Sequence, residues 1–313
     1  MYLRPMRMLL LALVCYLSLP LTAQKLYSRA YGKPSNPPIV FLHGGPGYDA
    51  FAFEVTTAPV LADRGFYVIA YDRRGEGRSE DSTAAYTFSE SFADLDSIYA
   101  LYGLKSATLL GHSFGGVIAT LYAEQHPRRA KSLVLLGAPI DTQASLRNIL
   151  RRSREQYSSA NDSTSLRYVD MIERMDTASI AYSGLAFMQA TRNGLYRPHS
   201  PTADAEKLYG EITKARLKQS VSSSFNLKAS QGFFDNEHYT TLRLTPHLQA
   251  VIDGGTAAYG IYGMEDGLYS VADMKHIESL LEPDHFQRIG SAGHNVFIDQ
   301  QPTFLTLIEA WLK

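Results

Sequence analysis

Four short stretches of the chain are apolar at nearly every position: Pro38-Ile39-Val40-Phe41-Leu42, Tyr67-Val68-Ile69-Ala70-Tyr71, Thr108-Leu109-Leu110 and Leu133-Val134-Leu135-Leu136. A strand with one wet face alternates apolar and polar residues. Runs without a polar face instead predict parallel strands covered on both sides. Between the second and third runs, Phe92, Leu95, Ile98, Tyr99 and Tyr102 recur at helical spacing from Ser91 to Leu104, with Gly103 near the end as a stop signal. Behind the third run, Val117 to Gln125 reads as a helix of small residues. The alternation predicts an α/β fold: a doubly wound, mostly parallel sheet that takes ligands at the C-terminal ends of its strands.

From about Asp141 to Leu248 the pattern changes. Charged, helix-favouring segments dominate (Ser145 to Tyr157, Ser163 to Met175, Pro201 to Val221) and β-branched runs vanish. Sheet pattern returns at Thr256 to Tyr262 and Phe286 to Ile289, and Thr303 to Trp311 closes as an amphipathic helix. The expected organisation is a core over 24–140 and 249–313, interrupted by a helical cap over 141–248. Residues 1–23 are different in kind: Arg4 and Arg7, an apolar run from Met8 to Leu19, Pro20, then Leu21-Thr22-Ala23. A positive start, a short apolar centre and a small residue at the break describe a cleavable secretory signal peptide. The run is too short to span a bilayer comfortably. The expected location is therefore secreted or periplasmic, without stable membrane insertion after cleavage.

Composition adds limits. A chain of 313 residues can bury one large core plus an insertion, and 45% apolar with 19% charged residues is ordinary for a globular enzyme. A net charge of −1 gives no reason to expect nucleic acid as a partner. The single cysteine, Cys15, lies in the leader. Past residue 23 the chain has no disulfide, thiol nucleophile or cysteine metal site.

The candidate chemistry centres on Gly111-His112-Ser113-Phe114-Gly115-Gly116, between a strand-like run and a helix-like one. G-x-S-x-G in that context places the serine on a tight, strained turn, with glycines where Cβ atoms would clash and the hydroxyl exposed above the sheet edge. A serine hydroxyl needs a base, and the base needs an orienting group. Asp266 follows one strand-like run in Gly263-Met264-Glu265-Asp266, and His294 follows the next in Ala292-Gly293-His294-Asn295. The order serine, acid, histidine is the one this architecture uses; Glu265 is the competing acid. Acyl transfer also needs donors aimed at the developing oxyanion. The Phe114 amide supplies one, and Gly45 or Gly44 of His43-Gly44-Gly45-Pro46-Gly47 supplies the second. The segment Asp72-Arg73-Arg74-Gly75-Glu76-Gly77-Arg78-Ser79 reads as a tight loop whose Asp and Arg pair to fix a wall of the site. Phosphate binding is its sharper alternative. No histidine–carboxylate spacing suits a metal, so no metal is expected.

HGGPG at 43–47, DRRGEGRS at 72–79, GHSFGG at 111–116, GMED at 263–266 and GHN at 293–295 together resemble the α/β-hydrolase superfamily, and within it the proline iminopeptidase group of serine peptidases. The resemblance implies an eight-stranded, mostly parallel sheet, a helical cap, catalysis without a cofactor, and release of an N-terminal residue from short peptides or amides. It also implies a cap carboxylate that meets the substrate's ammonium. Glu237, in Phe234-Asp235-Asn236-Glu237-His238-Tyr239, resembles that residue, and Glu211 is the substitute for a second acid that the family carries in a tryptophan-rich stretch missing from this cap. The expected activity is that of an aminopeptidase acting on a small peptide, with a carboxylesterase as the alternative. An epoxide- or haloalkane-type hydrolase would carry aspartate at 113, and a non-catalytic binding module would have lost the acid or the base.

Overall fold

The computed structural model describes residues 26–222 and 225–313. The expected leader and Cys15 lie outside them. In chain order the elements are β1 (Ser28–Tyr31), β2 (Pro38–Leu42), α1 (Phe51–Thr56), α2 (Ala58–Asp63), β3 (Tyr67–Tyr71), α3 (Phe88–Leu101), β4 (Ala107–His112), α4 (Phe114–Gln125) and β5 (Ala130–Leu136). Six helices follow: α5 (Thr142–Ser159), α6 (Ser163–Glu173), α7 (Ile180–Arg192), α8 (Ala203–Gln219), α9 (Leu227–Glu237) and α10 (Thr245–Asp253). The chain then returns through β6 (Ala257–Gly263), α11 (Val271–Leu280), β7 (Phe286–Ile289), α12 (Val296–Asp299) and α13 (Gln301–Leu312).

The sheet runs β1-β3-β2-β4-β5-β6-β7, parallel throughout except for β1, which pairs antiparallel with β3. Seven strands, not eight, are present among the described residues. The apolar runs are buried on both faces. Val40, Leu42, Ile69, Leu109, Leu133 and Leu135 join the cluster beneath α3 and α4, whereas Ile39, Phe41, Val68, Leu110, Val134 and Leu136 join the one that holds α13 residues Phe304 and Ile308. Successive side chains leave a strand on opposite sides, so one continuous apolar run feeds two cores.

Register brings the strand ends together: Leu42 pairs with Gly111 and Gly111 with Leu135, while Leu136 pairs with Ile261 and Gly263 with Ile289. The loops after β2, β4, β6 and β7 thus open onto one edge, at the crevice where sheets of this type bind ligands. A third, smaller cluster of Leu146, Leu150, Tyr157, Val169, Ile172, Tyr182 and Ala186 holds α5, α6 and α7 together. Their starts are capped by Asp141, Asp162 and Ser179, each accepting a backbone N–H three residues on. Among the described residues no helix is long and apolar enough to cross a membrane.

Candidate active site

Ser113 stands between β4 and α4 at φ 51° and ψ −124°, a conformation an L-residue adopts only under constraint. The glycines explain how the turn closes. A Cβ at Gly115 would lie 2.1 Å from the Leu42 carbonyl oxygen, and one at Gly111 would lie 2.5 Å from the Gly116 Cα. The Ser113 N–H donates to the Leu136 carbonyl at 2.9 Å, and the Gly116 N–H donates to the Ser113 carbonyl at 2.8 Å. Both ends of the turn are therefore fixed, and the hydroxyl has no hydrogen-bond partner among the described residues. Phe114 occupies the first position of α4, where the backbone amide has no acceptor within the helix.

His294 and Asp266 meet: imidazole Nδ1 lies 2.8 Å from Asp266 Oδ2, with both side chains buried. The carboxylate's other oxygen accepts the Leu268 N–H at 3.0 Å. Because Nδ1 donates to a carboxylate, Nε2 is left as the basic nitrogen. Glu265 points elsewhere and accepts the His199 N–H at 2.8 Å. The Leu136 carbonyl that accepts the Ser113 N–H directly precedes Gly137, and a Cβ at Gly137 would lie 3.2 Å from His294 Nδ1. Among the described residues no hydrogen bond joins the serine hydroxyl to the ring.

Three features hold the imidazole. Its own backbone N–H donates to the Tyr196 carbonyl at 2.9 Å, and the Tyr196 ring stands edge-on to it with centroids 5.5 Å apart. The His112 ring lies 4.9 Å away, and its Nε2 donates to the His294 carbonyl at 3.1 Å. Asp299, five residues past His294 on α12, accepts the Gly293 N–H at 2.9 Å. Burial raises the Asp299 carboxyl above the usual carboxylate range.

The loop after β2 is held by a buried ion pair. Arg73 Nε donates to Glu76 Oε1 at 2.8 Å and Nη2 to Oε2 at 3.0 Å. The same guanidinium donates to the His43 carbonyl and, at 2.7 Å, to the Gly44 carbonyl, while Glu76 also accepts the Gly47 N–H. In a trans peptide the N–H and C=O lie in one plane and point in opposite directions. With carbonyls 43 and 44 turned onto Arg73, the N–H groups of Gly44 and Gly45 point away from the guanidinium. The segment 72–79 is closed on itself in the same manner. Arg78 makes a bidentate pair with Asp72, and Arg74 meets Asp94 at 2.6 Å. Each arginine of the segment is matched with a carboxylate. The local pairing expected of Asp72 extends to Arg78, and Arg73 turns instead to Glu76.

The two acids expected to meet an ammonium stand on the helices α9 and α8. Glu237, half-buried at the end of α9, accepts the Phe88 N–H at 2.7 Å and so completes the start of α3. Glu211 is exposed on α8. Among the described residues no cluster of histidine, cysteine and carboxylates is arranged to hold a metal.

His43 is buried and His112 half-buried, and loss of hydration holds both far below the ordinary imidazole value, His112 at about 3. Unfolded, the same rings take protons near 6.5. As pH falls from 6.5 towards 3, the unfolded chain gains protons that the folded one refuses, so stability drops. The buried carboxyls of Glu76, Asp94 and Asp299 are shifted upward and act in the opposite sense. The comparison that isolates the ring is therefore His112→Gln against wild type. Its stability should fall less steeply below pH 6.5, by up to about 1.4 kcal/mol per pH unit. Denaturant midpoints at pH 7 and 5 measure this, and parallel pH dependences would contradict it.

Comparison with known proteins places this geometry among relatives. The family model described as the alpha/beta hydrolase fold matches residues 37–301. The chain is 26% identical to a proline iminopeptidase of Lactobacillus delbrueckii subsp. bulgaricus over 317 residues, covering 94% of this chain and 96% of that one. Among solved structures it superposes on a proline iminopeptidase-related protein from Thermus thermophilus with TM-score 0.66, at 21% identity and over 94% of this chain and 96% of that one. It superposes on an esterase from Exiguobacterium antarcticum with TM-score 0.59, at 18% identity, over 92% and 95% of the two chains.

Proposed function

The chain belongs to the α/β-hydrolase family, and from that premise we propose that it is a secreted serine hydrolase of the proline iminopeptidase type. The observation that carries the reading is the His294–Asp266 pair, set beside the strained Ser113 turn at one edge of the sheet. Ser113 Oγ attacks the substrate carbonyl carbon while His294 Nε2 takes its proton. Asp266 holds the ring and stabilises the imidazolium. Negative charge on the carbonyl oxygen is met by the amides of Phe114 and of Gly45 or Gly44. Collapse breaks the bond to the leaving amine, which receives the proton from His294. Water, deprotonated by the same nitrogen, then releases the acyl group from Ser113.

Aminopeptidase activity on short peptides is favoured by the full-length likeness to a proline iminopeptidase. A specific observation favours the second reading, carboxylesterase. Carboxylates near the centre already have donors: Glu237 the Phe88 amide, Asp49 the Arg216 guanidinium, and Glu76 the Arg73 guanidinium. An ammonium would have to share or displace one of them. Turnover of a prolyl arylamide should exceed that of a short acyl ester in kcat/KM if the first reading holds. Brisk ester cleavage with no cleavage of any aminoacyl arylamide would replace it with the second. Secretion rests on the leader over 1–23. N-terminal sequencing of the exported protein should begin at Gln24, and cytosolic retention of the intact chain would reject it.

A further inference from the structure

Helix α8 touches both loops that the reaction needs. Tyr209 and Arg216 are seven residues apart, two helical turns, and so share one face about 10 Å apart along the axis. The Tyr209 hydroxyl donates to Asp299 Oδ1 at 2.9 Å, and the other oxygen of that carboxylate holds the Gly293 N–H next to His294. Arg197 stacks over the Tyr209 ring at 3.8 Å, and Asn295 Nδ2 lies 3.4 Å from its hydroxyl. At the other end the Arg216 guanidinium makes a bidentate pair with Asp49 at 2.7 and 2.8 Å, two residues past Gly47. It also lies 4.6 Å from the Phe51 ring and donates to the Ser222 carbonyl. Farther along, the Asn226 N–H donates to the Gly47 carbonyl at 2.9 Å. Leu208 and Ile212, on the same face, pack against the core cluster that contains Val296, Phe297 and Phe53.

We propose that α8 is a two-point clamp that sets the spacing between the base loop (290–299) and the oxyanion loop (43–51), with Tyr209 and Arg216 as its positioning residues. The catalytic reading of those loops is the one proposed above; the coupling itself is a mechanical property of α8. Asp299 is one step from the imidazole, and Asp49 is one step from the Gly47 end of the glycine loop. A shift of α8 therefore moves both, and releasing either end frees the helix to move at the other. The insertion thereby acts on the chemistry without contributing a reacting group.

Tyr209→Phe removes one hydroxyl, and Arg216→Lys keeps the charge while breaking the paired geometry, so both variants keep the packing of α8. With 4-nitrophenyl acetate as the probe, each single variant should lower kcat by about 10- to 100-fold at unchanged KM. The double variant should be no slower than the slower single one, because a clamp released at one end has nothing further to lose. A double-variant loss equal to the product of the single losses would mean independent anchors and overturn the proposal. Hydrogen exchange in the folded protein gives a second readout that needs no activity. Tyr209→Phe should speed exchange in 47–51 as well as in 291–299, and Arg216→Lys should do the converse. Exchange that rises only in the loop nearest each substitution overturns the coupling. Wild-type protein that fails to react with a fluorophosphonate would reject the serine mechanism, and the exchange data would still decide the clamp.

Discussion

On the proposed serine mechanism, replacing Ser113 by alanine should reduce hydrolysis by about 10⁶-fold while leaving the fold intact, because a nucleophile and its base act as one unit. The structure separates the two effects. Alanine has the same Cβ, so the strained φ of 51° costs it no more than it costs serine. The hydroxyl has no hydrogen-bond partner to lose, and the N–H bond to Leu136 survives the change. Stability should therefore stay within about 0.5 kcal/mol of wild type. Fluorophosphonate labelling and ester turnover check the first part, and a thermal scan checks the second. A variant that labels as well as wild type, or retains more than a tenth of the rate, would remove Ser113 from the reaction. A variant that loses both rate and fold would contradict the geometry just described. His294→Ala should match the loss in rate to within tenfold.

That such a forecast is possible reflects where the information lies in the chain. The elbow is written locally: Gly111, Gly115 and Gly116 sit where Cβ atoms would strike Gly116, Leu42 and Ala138, and each is visible as a letter. The strands beneath it are continuous apolar runs, and β7 falls on Phe286–Ile289 as its pattern predicts. Helix ends are displaced by a few residues. The stripe from Ser91 to Leu104 corresponds to a helix over Phe88–Leu101, because the Thr87 side chain accepts the Glu90 N–H and starts the helix earlier than its apolar positions do. β1 is illegible: Ser-Arg-Ala-Tyr has no apolar run, and its strand character comes from pairing with β3 at the sheet edge. The short helices α1 and α2 carry too few turns to show a period.

Partnerships across long sequence distance are equally hidden. Asp299 reads as an ordinary acid in a short turn. Only the folded chain brings Tyr209, 90 residues away, to its other oxygen. Glu237 shows the same limit from the other side. Its surroundings in the sequence resemble a substrate-binding segment, yet its carboxylate is engaged by a backbone amide 149 residues upstream. The neutral His112 could be placed on the turn from its letter, but not its grip on the His294 carbonyl, which spans 182 residues.

The largest expected loss of stability comes from Arg73→Met. Arg73 is 1% exposed and is matched to a Glu76 side chain that is itself fully buried. Burial already pushes the Glu76 carboxyl upward, and the guanidinium is the main opposing influence. Removing the cation leaves an uncompensated buried charge, which costs about 3–5 kcal/mol. The carbonyls of His43 and Gly44 lose their donor in the same step. If the Gly44 and Gly45 amides serve as the proposed oxyanion donors, releasing their carbonyl neighbours should misalign them, at a cost of about 10²–10³ in kcat. These two effects separate in the double variant Arg73→Met with Glu76→Gln. A neutral amide removes the stranded charge, so most of the lost stability should return. The carbonyls remain without their donor, so the rate should not. Denaturant unfolding and ester kinetics on the three proteins measure both quantities. Recovery of rate and stability together would mean that the ion pair serves only the fold, and that the glycine loop keeps its orientation without it.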